Sequence, residues 1–171
     1  MIPNDVSPEE EHLASLADQH QALRTWLRLL SCTTLIENRV SSRLRSEFDT
    51  TLPRFDLMAQ LARFPEGLFM SKLSQLLMVS GGNVTGITDT LEREGLVERI
   101  MLPEDRRARK VRLTAKGHAA FDQMAAVHET WIEGWLKGLS EQEQQHLYVL
   151  LGKLKQHLNE SSGSISTSSE I

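Results

Sequence analysis

A single cysteine, Cys32, in a chain of 171 residues excludes an internal disulfide. No apolar run approaches the roughly 18 residues that a membrane helix needs, so no membrane-spanning segment is expected. The N-terminus, "MIPNDVSPEEEHL", lacks the basic and apolar regions of a signal peptide, and the expected location is the cytoplasm. The glycines of "SGGNVTG" do not fit G-x-G-x-x-G and no G-K-[ST] follows them, so neither a dinucleotide fold nor a P-loop is indicated. The histidines, His12, His20, His118, His128, His146 and His157, form neither H-x3-H nor H-E-x-x-H spacing. They read as surface helix residues rather than metal ligands. These absences point away from an enzyme and give no motif for a cofactor or a metal.

What is present is an ordinary globular composition, 40 % hydrophobic and 25 % charged, long enough for one domain with a real core. The net charge of -4 conceals a division. Asp5, Glu9, Glu10, Glu11 and Asp18 make the segment 1–19 purely acidic, and Glu160 and Glu170 make the tail acidic, so the middle of the chain is basic. "LPEDRRARKVRLTAKG" holds the densest cluster, with Arg106, Arg107, Arg109 and Lys110 in close succession. Local charge of this kind, rather than the overall balance, decides whether a surface attracts phosphate, although charge alone equally fits a solvated basic loop.

Periodicity organises the rest. Ser7, Pro8 and Glu10 form a helix-start signature. A long helix over about 20–48 is marked by Leu23, Trp26, Leu27, Leu30, Ile36, Val40, Leu44 and Phe48. The next begins at Pro53 and stops before the turn sequence "FPEG". Ser71 is read as the cap of a short helix, "KLSQLL"; Ser80 caps a further helix that ends at Gly95. "LVERIML" and "RKVRLT" alternate as strands of a hairpin with a long tip. Ala119, Met124, Val127, Trp131 and Trp135 mark another helix, and Ser140 with Glu143 opens a last one carrying Leu147, Leu150, Leu151, Leu154 and Leu158. The Ser-rich segment 159–171 lacks periodicity and reads as disordered.

The fold class is therefore mainly α with a small β-hairpin, in the order of a winged helix-turn-helix. Val84, Ile87 and Leu91 place one face of the 80–94 helix inward. The other presents Gly82, Gly86, Asp89, Thr90 and Arg93, flanked by Asn83 and Thr85. In a helix that enters the major groove, Asn83 suits adenine, Thr85 suits a base edge or a thymine methyl, and Ser80, Gly81 and Gly82 bring free amides toward a phosphate. A hairpin beside it would carry Arg106, Arg107 and Arg109 to the adjacent minor groove and its phosphates, with Asp105 orienting a guanidinium. The plain alternative for the helix is a capped helix with an unremarkable polar face.

The stretch "LSQLLMVSGGNVTGITDTLEREGLVERIMLPEDRRARKVRLTAKG" resembles the DNA-binding core of the MarR family of bacterial transcription regulators. The resemblance rests on the helix-turn-helix, "LEREGLVER", the D-x-R element at Asp105-Arg106-Arg107, and "LTAKG". It departs at Leu102, where many members place an acidic residue before the proline. It implies that Arg107 is the wing-tip arginine in the minor groove, with Asp105 its partner, and that Ser80 to Arg93 is the recognition helix. It also implies a homodimer on a pseudo-palindromic operator in double-stranded DNA, formed by helices within 20–52 and 115–158, with 53–114 as the DNA-binding lobe. Trp131, Trp135 and the Leu147–Leu158 stripe support this independently, as more apolar surface than one small lobe covers.

Further upstream, the stretch from Arg28 to Gly86 resembles a MarR branch controlling aromatic-acid catabolism, with repressors released by hydroxycinnamoyl-CoA or related aryl-CoA thioesters. The expected effector is thus an aromatic acid or its acyl-CoA. Trp26, Leu30, Ile36, Phe55 and Met58 are candidate pocket walls, and Arg28 or Arg39 would meet a carboxylate or a CoA phosphate. For each, a core or surface-face role is an equal reading. The alternative trigger is redox, acting through Cys32. That residue lies mid-helix in "LLSCTTL", without tyrosine partners nearby in sequence, and reads as a packed core cysteine.

Overall fold

The computed structural model describes residues 20–101 and 109–163. The helix expected at Ser7, the wing-tip residues Asp105, Arg106 and Arg107, and the chain beyond Gly163 lie outside the described residues. The chain divides into two compact units, residues 1–124 and 125–171.

In the first unit, helix α1 (Gln21–Phe48) leads to α2 (Leu52–Ala62), strand β1 (Leu68–Phe69), α3 (Met70–Leu77), α4 (Gly81–Arg93), β2 (Val97–Met101) and β3 (Arg109–Leu113). Helix α5 (Ala115–Leu136) begins there and runs into the second unit, which ends with α6 (Glu141–Gly163). No described helix is long and apolar enough to cross a membrane.

The core gathers apolar residues that periodicity sets on single faces: Leu57, Met58 and Leu61 of α2, Leu73 of α3, Val84 and Leu91 of α4, and Val97, Val111 and Leu113 of the sheet. Of the 28 residues of α1, only Val40 and Leu44 are buried. The rest of that helix presents Leu23, Trp26, Leu27, Leu30 and Leu35 to the surface. Phe55 is buried and packs its ring 5.6 Å from that of Phe121, at the start of α5.

The sheet has three antiparallel strands in the order β1-β3-β2, where a two-stranded hairpin is expected from the sequence. Leu68 pairs with Val111 and Phe69 with Lys110, so two residues after the "FPEG" turn cover an edge of β3. On the outer face Arg112 donates from Nε to Glu98 at 2.7 Å, and the Lys110 ammonium lies 5.4 Å from the centre of the Phe69 ring.

Four expectations are corrected. Helix α3 starts at Met70 behind Phe69, so Ser71 sits inside it instead of capping it; the β1 pairing delivers the chain two residues earlier. Ala119, read as part of the apolar stripe on α5, is exposed. Helix α6 continues to Gly163, past the expected end at 158, because Asn159 to Ser162 contain no breaker and Gln156 bonds Glu160 one turn on at 3.0 Å. Cys32 is exposed, since it lies on the part of α1 that stands clear of the core.

Gly95 and Ser140 cap as the sequence indicates, whereas Ser80 holds the N-cap position of α4 without a side-chain cap. Ser80 is extended at the N-cap of α4, and Gly95 closes that helix with φ +72°. Ser140 and Glu143 form the reciprocal box: the Ser140 N–H donates to Glu143 at 2.8 Å and the Glu143 N–H to the Ser140 hydroxyl at 3.4 Å.

At the head of α5, Thr114 is the cap. The Gly117 N–H donates to its hydroxyl oxygen at 3.0 Å, the Thr114 N–H donates to the Leu96 carbonyl at 3.1 Å, and its hydroxyl donates to the Gly95 carbonyl at 2.7 Å. Lys116 adds a charged donor to the Glu94 carbonyl at 2.8 Å, where the dipole of α4 favours a cation. The closeness of this junction dictates Gly117, for a Cβ there would lie 1.9 Å from the Leu96 carbonyl oxygen.

Candidate nucleic-acid interface

Helix α4 is positioned by three fully buried residues, Val84, Thr88 and Leu91, with Ile87 half-buried beside them. Thr88 is absent from the sequence-based core because it carries a hydroxyl. That hydroxyl donates to the Val84 carbonyl at 2.8 Å, which leaves the methyl to pack as valine would. The opposite face is exposed. A Cβ placed on Gly82 or on Gly86 would meet nothing within 4 Å, so the backbone at these two positions, one turn apart, stands bare toward solvent.

Asn83, Thr85 and Arg93 are all exposed on this helix, as a base- and phosphate-reading role requires. The Thr85 hydroxyl donates back to the Gly81 carbonyl at 2.9 Å; its methyl and its acceptor lone pairs are what it offers outward. Ser80 makes no side-chain cap, so its hydroxyl does not occupy the first-turn amides around Gly81 and Gly82. Arg93 folds back along the helix, with Nε donating to the Asp89 carbonyl at 3.3 Å and a terminal nitrogen to the Thr90 hydroxyl at 3.1 Å.

Beside the helix, β2 and β3 bracket the wing. Arg109 opens β3 opposite Met101, and the expected wing contacts Asp105, Arg106 and Arg107 lie between them, outside the described residues.

Sequence reasoning missed Arg99. It lies on the same face of β2 as Val97, opposite Val111, and its guanidinium bonds both Asp89 and Glu92 of α4. Its backbone N–H also donates to Glu92 at 3.3 Å. The hydrogen bond to Asp89 foremost, opposed by partial burial and reinforced by Glu92, raises its pKa further above the ordinary arginine value. The signal was available: in "VERIM" an arginine takes the inward parity of the alternation, and Asp89 and Glu92 lie three apart on the helix that packs there.

The candidate effector residues are divided. Phe55 and Met58 belong to the core, Ile36 is half-buried, and Trp26, Arg28, Leu30 and Arg39 are exposed on α1. A cavity of about 360 Å³ is lined instead by Phe48, Asp49, Thr50, Arg54, Met58, Glu94, Leu96, Ala120, Gln123 and Met124, sharing only Met58 with that set. Arg54 crosses it to pair with Glu94. Among the described residues no group of three or more His, Cys, Asp or Glu side chains is placed to hold a metal ion.

Comparison with known proteins agrees with this arrangement. The MarR family model matches residues 50–108, from the start of the DNA-binding lobe into the wing. The HTH-type transcriptional regulator PecS of Dickeya dadantii is 30 % identical over 131 residues, covering 75 % of this chain and 79 % of PecS. Among solved structures, a MarR family transcriptional regulator from Silicibacter pomeroyi is 30 % identical with a TM-score of 0.70, over 82 % of this chain and 97 % of that one. Streptococcus pneumoniae FabT in complex with DNA is 27 % identical with a TM-score of 0.69, over 82 % of this chain and 99 % of that one. A helix whose outer face is bare backbone and polar side chains, with a basic hairpin beside it, in a chain so related, leaves one conclusion: this protein belongs to the MarR family and is a DNA-binding transcriptional regulator.

Proposed function

We propose that the protein is a homodimeric repressor, released from a pseudo-palindromic operator by an aromatic effector, either an aryl-CoA thioester or an aromatic acid. The observation that carries the dimer is apolar exposure. Leu23, Trp26, Leu27, Leu30 and Leu35 on α1 are 45–55 % exposed, and Leu147, Val149, Leu150, Leu151, Leu154 and Leu158 on α6 are 38–64 % exposed. Contiguous stripes of this kind on a soluble regulator mark an interaction surface, and a second copy is the economical partner. Two copies related by a twofold axis would set two α4 helices over half-sites about one helical turn apart. In that arrangement Arg107 enters the minor groove with Asp105 as its orienting partner, Arg106 and Arg109 meet phosphates, and Asn83 and Thr85 face base edges.

The aromatic effector rests on the upstream resemblance and on the location of its candidate residues. Trp26, Arg28, Leu30 and Arg39 are exposed in the single chain, so a pocket built from them is completed by the partner protomer. The cavity at Arg54 is less suited to an anionic thioester, because Asp49 and Glu94 outnumber its one guanidinium.

A second reading, redox release through Cys32, draws on the exposure of that thiol. One titration separates the two. The preformed complex with duplex DNA from the region flanking the protein's own gene is challenged with hydroxycinnamoyl-CoA, free hydroxycinnamic acid, CoA and an organic hydroperoxide, using wild type and Cys32→Ser. Release of both proteins by thioester or acid at micromolar levels is expected. Release by hydroperoxide in wild type alone would replace the ligand reading with the redox one.

A further inference from the structure

The buried positions of α4 define its outward direction. With Val84, Thr88 and Leu91 turned fully inward, the ridge pointing away from the core consists of Gly82, Gly86, Asp89 and Arg93. The two glycines leave the first half of that ridge without side chains, so the backbone can approach the floor of a groove closely. Asp89 is the first residue on the ridge with a side chain to project, and that side chain is 52 % exposed.

A carboxylate there is unexpected on electrostatic grounds. It repels phosphate and weakens binding to every DNA sequence alike, so beyond its ion pair with Arg99 any contribution it makes to DNA binding comes as discrimination. The structure also holds it ready. Arg99 reaches from β2 to Oδ1 of Asp89 while gripping Glu92 with its other arm, and it is itself largely covered, with 19 % of its side chain exposed. The pairing offsets the carboxylate's charge, restrains its rotamer and engages Oδ1, so Oδ2 of this half-exposed side chain is the acceptor it has to offer.

We propose that Asp89 is a specificity-determining residue that accepts a hydrogen bond from the N4 amino group of a cytosine in the major groove, with Arg99 as its positioning residue. A carboxylate only accepts. Guanine presents two acceptors at that edge and thymine one, and adenine sets its N7 acceptor beside its amino donor; cytosine alone offers a donor with no competing acceptor. This assignment rests on the reading of α4 as the groove-entering helix and adds a base to it.

The test is in vitro selection from a random-sequence duplex library with the full-length protein, followed by anisotropy titration of the selected duplexes. Wild type, Asp89→Ala, Asp89→Asn, Arg99→Ala and Arg99→Lys are compared, with melting curves for each. Wild type should select C at one position of each half-site, by at least about fivefold over the other bases. Asp89→Ala should lose that preference while keeping all others, and should bind random duplex more tightly. Asp89→Asn, nearly isosteric and still able to bond Arg99, should shift the same position to A. Arg99→Ala should blur that position and Arg99→Lys should restore it in part. Base frequencies for Asp89→Ala that match wild type at every position would overturn the proposal and reduce Asp89 to an ion-pair partner. Equal weakening on all duplexes by Asp89→Asn, with unchanged melting, would overturn it in favour of a purely structural clamp. Failure of wild type to select any sequence would overturn the operator reading as well, an outcome distinct from the other two.

Discussion

Replacing Gly117 with alanine adds one carbon where the chain has no room for it. The new Cβ would lie 1.9 Å from the Leu96 carbonyl oxygen, 2.9 Å from its carbonyl carbon and 3.3 Å from Leu113 Cδ2. The first two are backbone atoms at the root of β2, so a side-chain rotation cannot relieve them. Relief requires α5 to move off Leu96, which stretches the Thr114 N–H bond to that carbonyl, 3.1 Å long in the native junction. Overpacking of this kind costs about 1–3 kcal/mol, and the obstruction is backbone, so the upper end applies. A weakened hydrogen bond adds about 1 kcal/mol. Alanine's better helix propensity returns up to about 1 kcal/mol. The net is a loss of about 2–3 kcal/mol, or a fall of roughly 4–12 °C in melting temperature for a chain of this size. Gly86→Ala is the matched control. Its Cβ meets nothing within 4 Å, so it should raise stability by about 0.5–1 kcal/mol while obstructing the approach of α4 to DNA. Thermal melts at one fixed protomer concentration, paired with DNA titration, measure both. A Gly117→Ala protein that melts within about one degree of wild type would refute the reasoning about this junction.

Two further outcomes are expected. Arg107→Ala should weaken operator binding by about 1–3 kcal/mol with an unchanged circular dichroism spectrum; equal affinity for the two proteins would remove the wing from the binding surface. Asp56 has its carboxyl pKa raised above 3.8, by burial first and by Glu37 second, so the folded chain keeps a proton that the unfolded chain has released. Its favourable contribution is therefore complete only below the unfolded pKa and is lost as pH rises through the folded one. Asp56→Asn should consequently be more stable than wild type near neutral pH, with the advantage shrinking on acidification toward pH 4, and urea midpoints across that range would expose the opposite trend.

Long periodic segments were readable from the residues alone because one rule governs each. Val40, Leu44, Val84 and Leu91 are inward in the sequence pattern and buried in the structure. The β1 strand could not be read, since two residues are too few to show a period and the pairing depends on Val111 and Lys110, over forty positions on. The candidate site divides along the same line. The bare, polar face of α4 follows from local spacing, whereas Arg99 acquires meaning only when β2 is laid against α4 and meets Asp89 and Glu92. The misreading of Cys32 has a related cause. Helical spacing says which residues share a face of α1, but not that only Val40 and Leu44 would find a core within the same chain.

The junction at Thr114 turns α4 into a lever. Its C-terminal end is tied to the start of α5 through Glu94, Gly95 and Leu96, by the Lys116 ammonium, the Thr114 hydroxyl and the Thr114 amide. The far end, at Gly81, is twelve residues away from Arg93. At about 1.5 Å per residue that arm is roughly 18 Å long, so a tilt of about 5° at the pivot carries Gly81 through about 1.6 Å. A displacement of that size is enough to break a base-edge hydrogen bond, whose donor and acceptor must stay within about 3.2 Å. A modest rotation at the head of α5 would thereby be amplified at the N-terminal end of α4, with no atom of its exposed face touched.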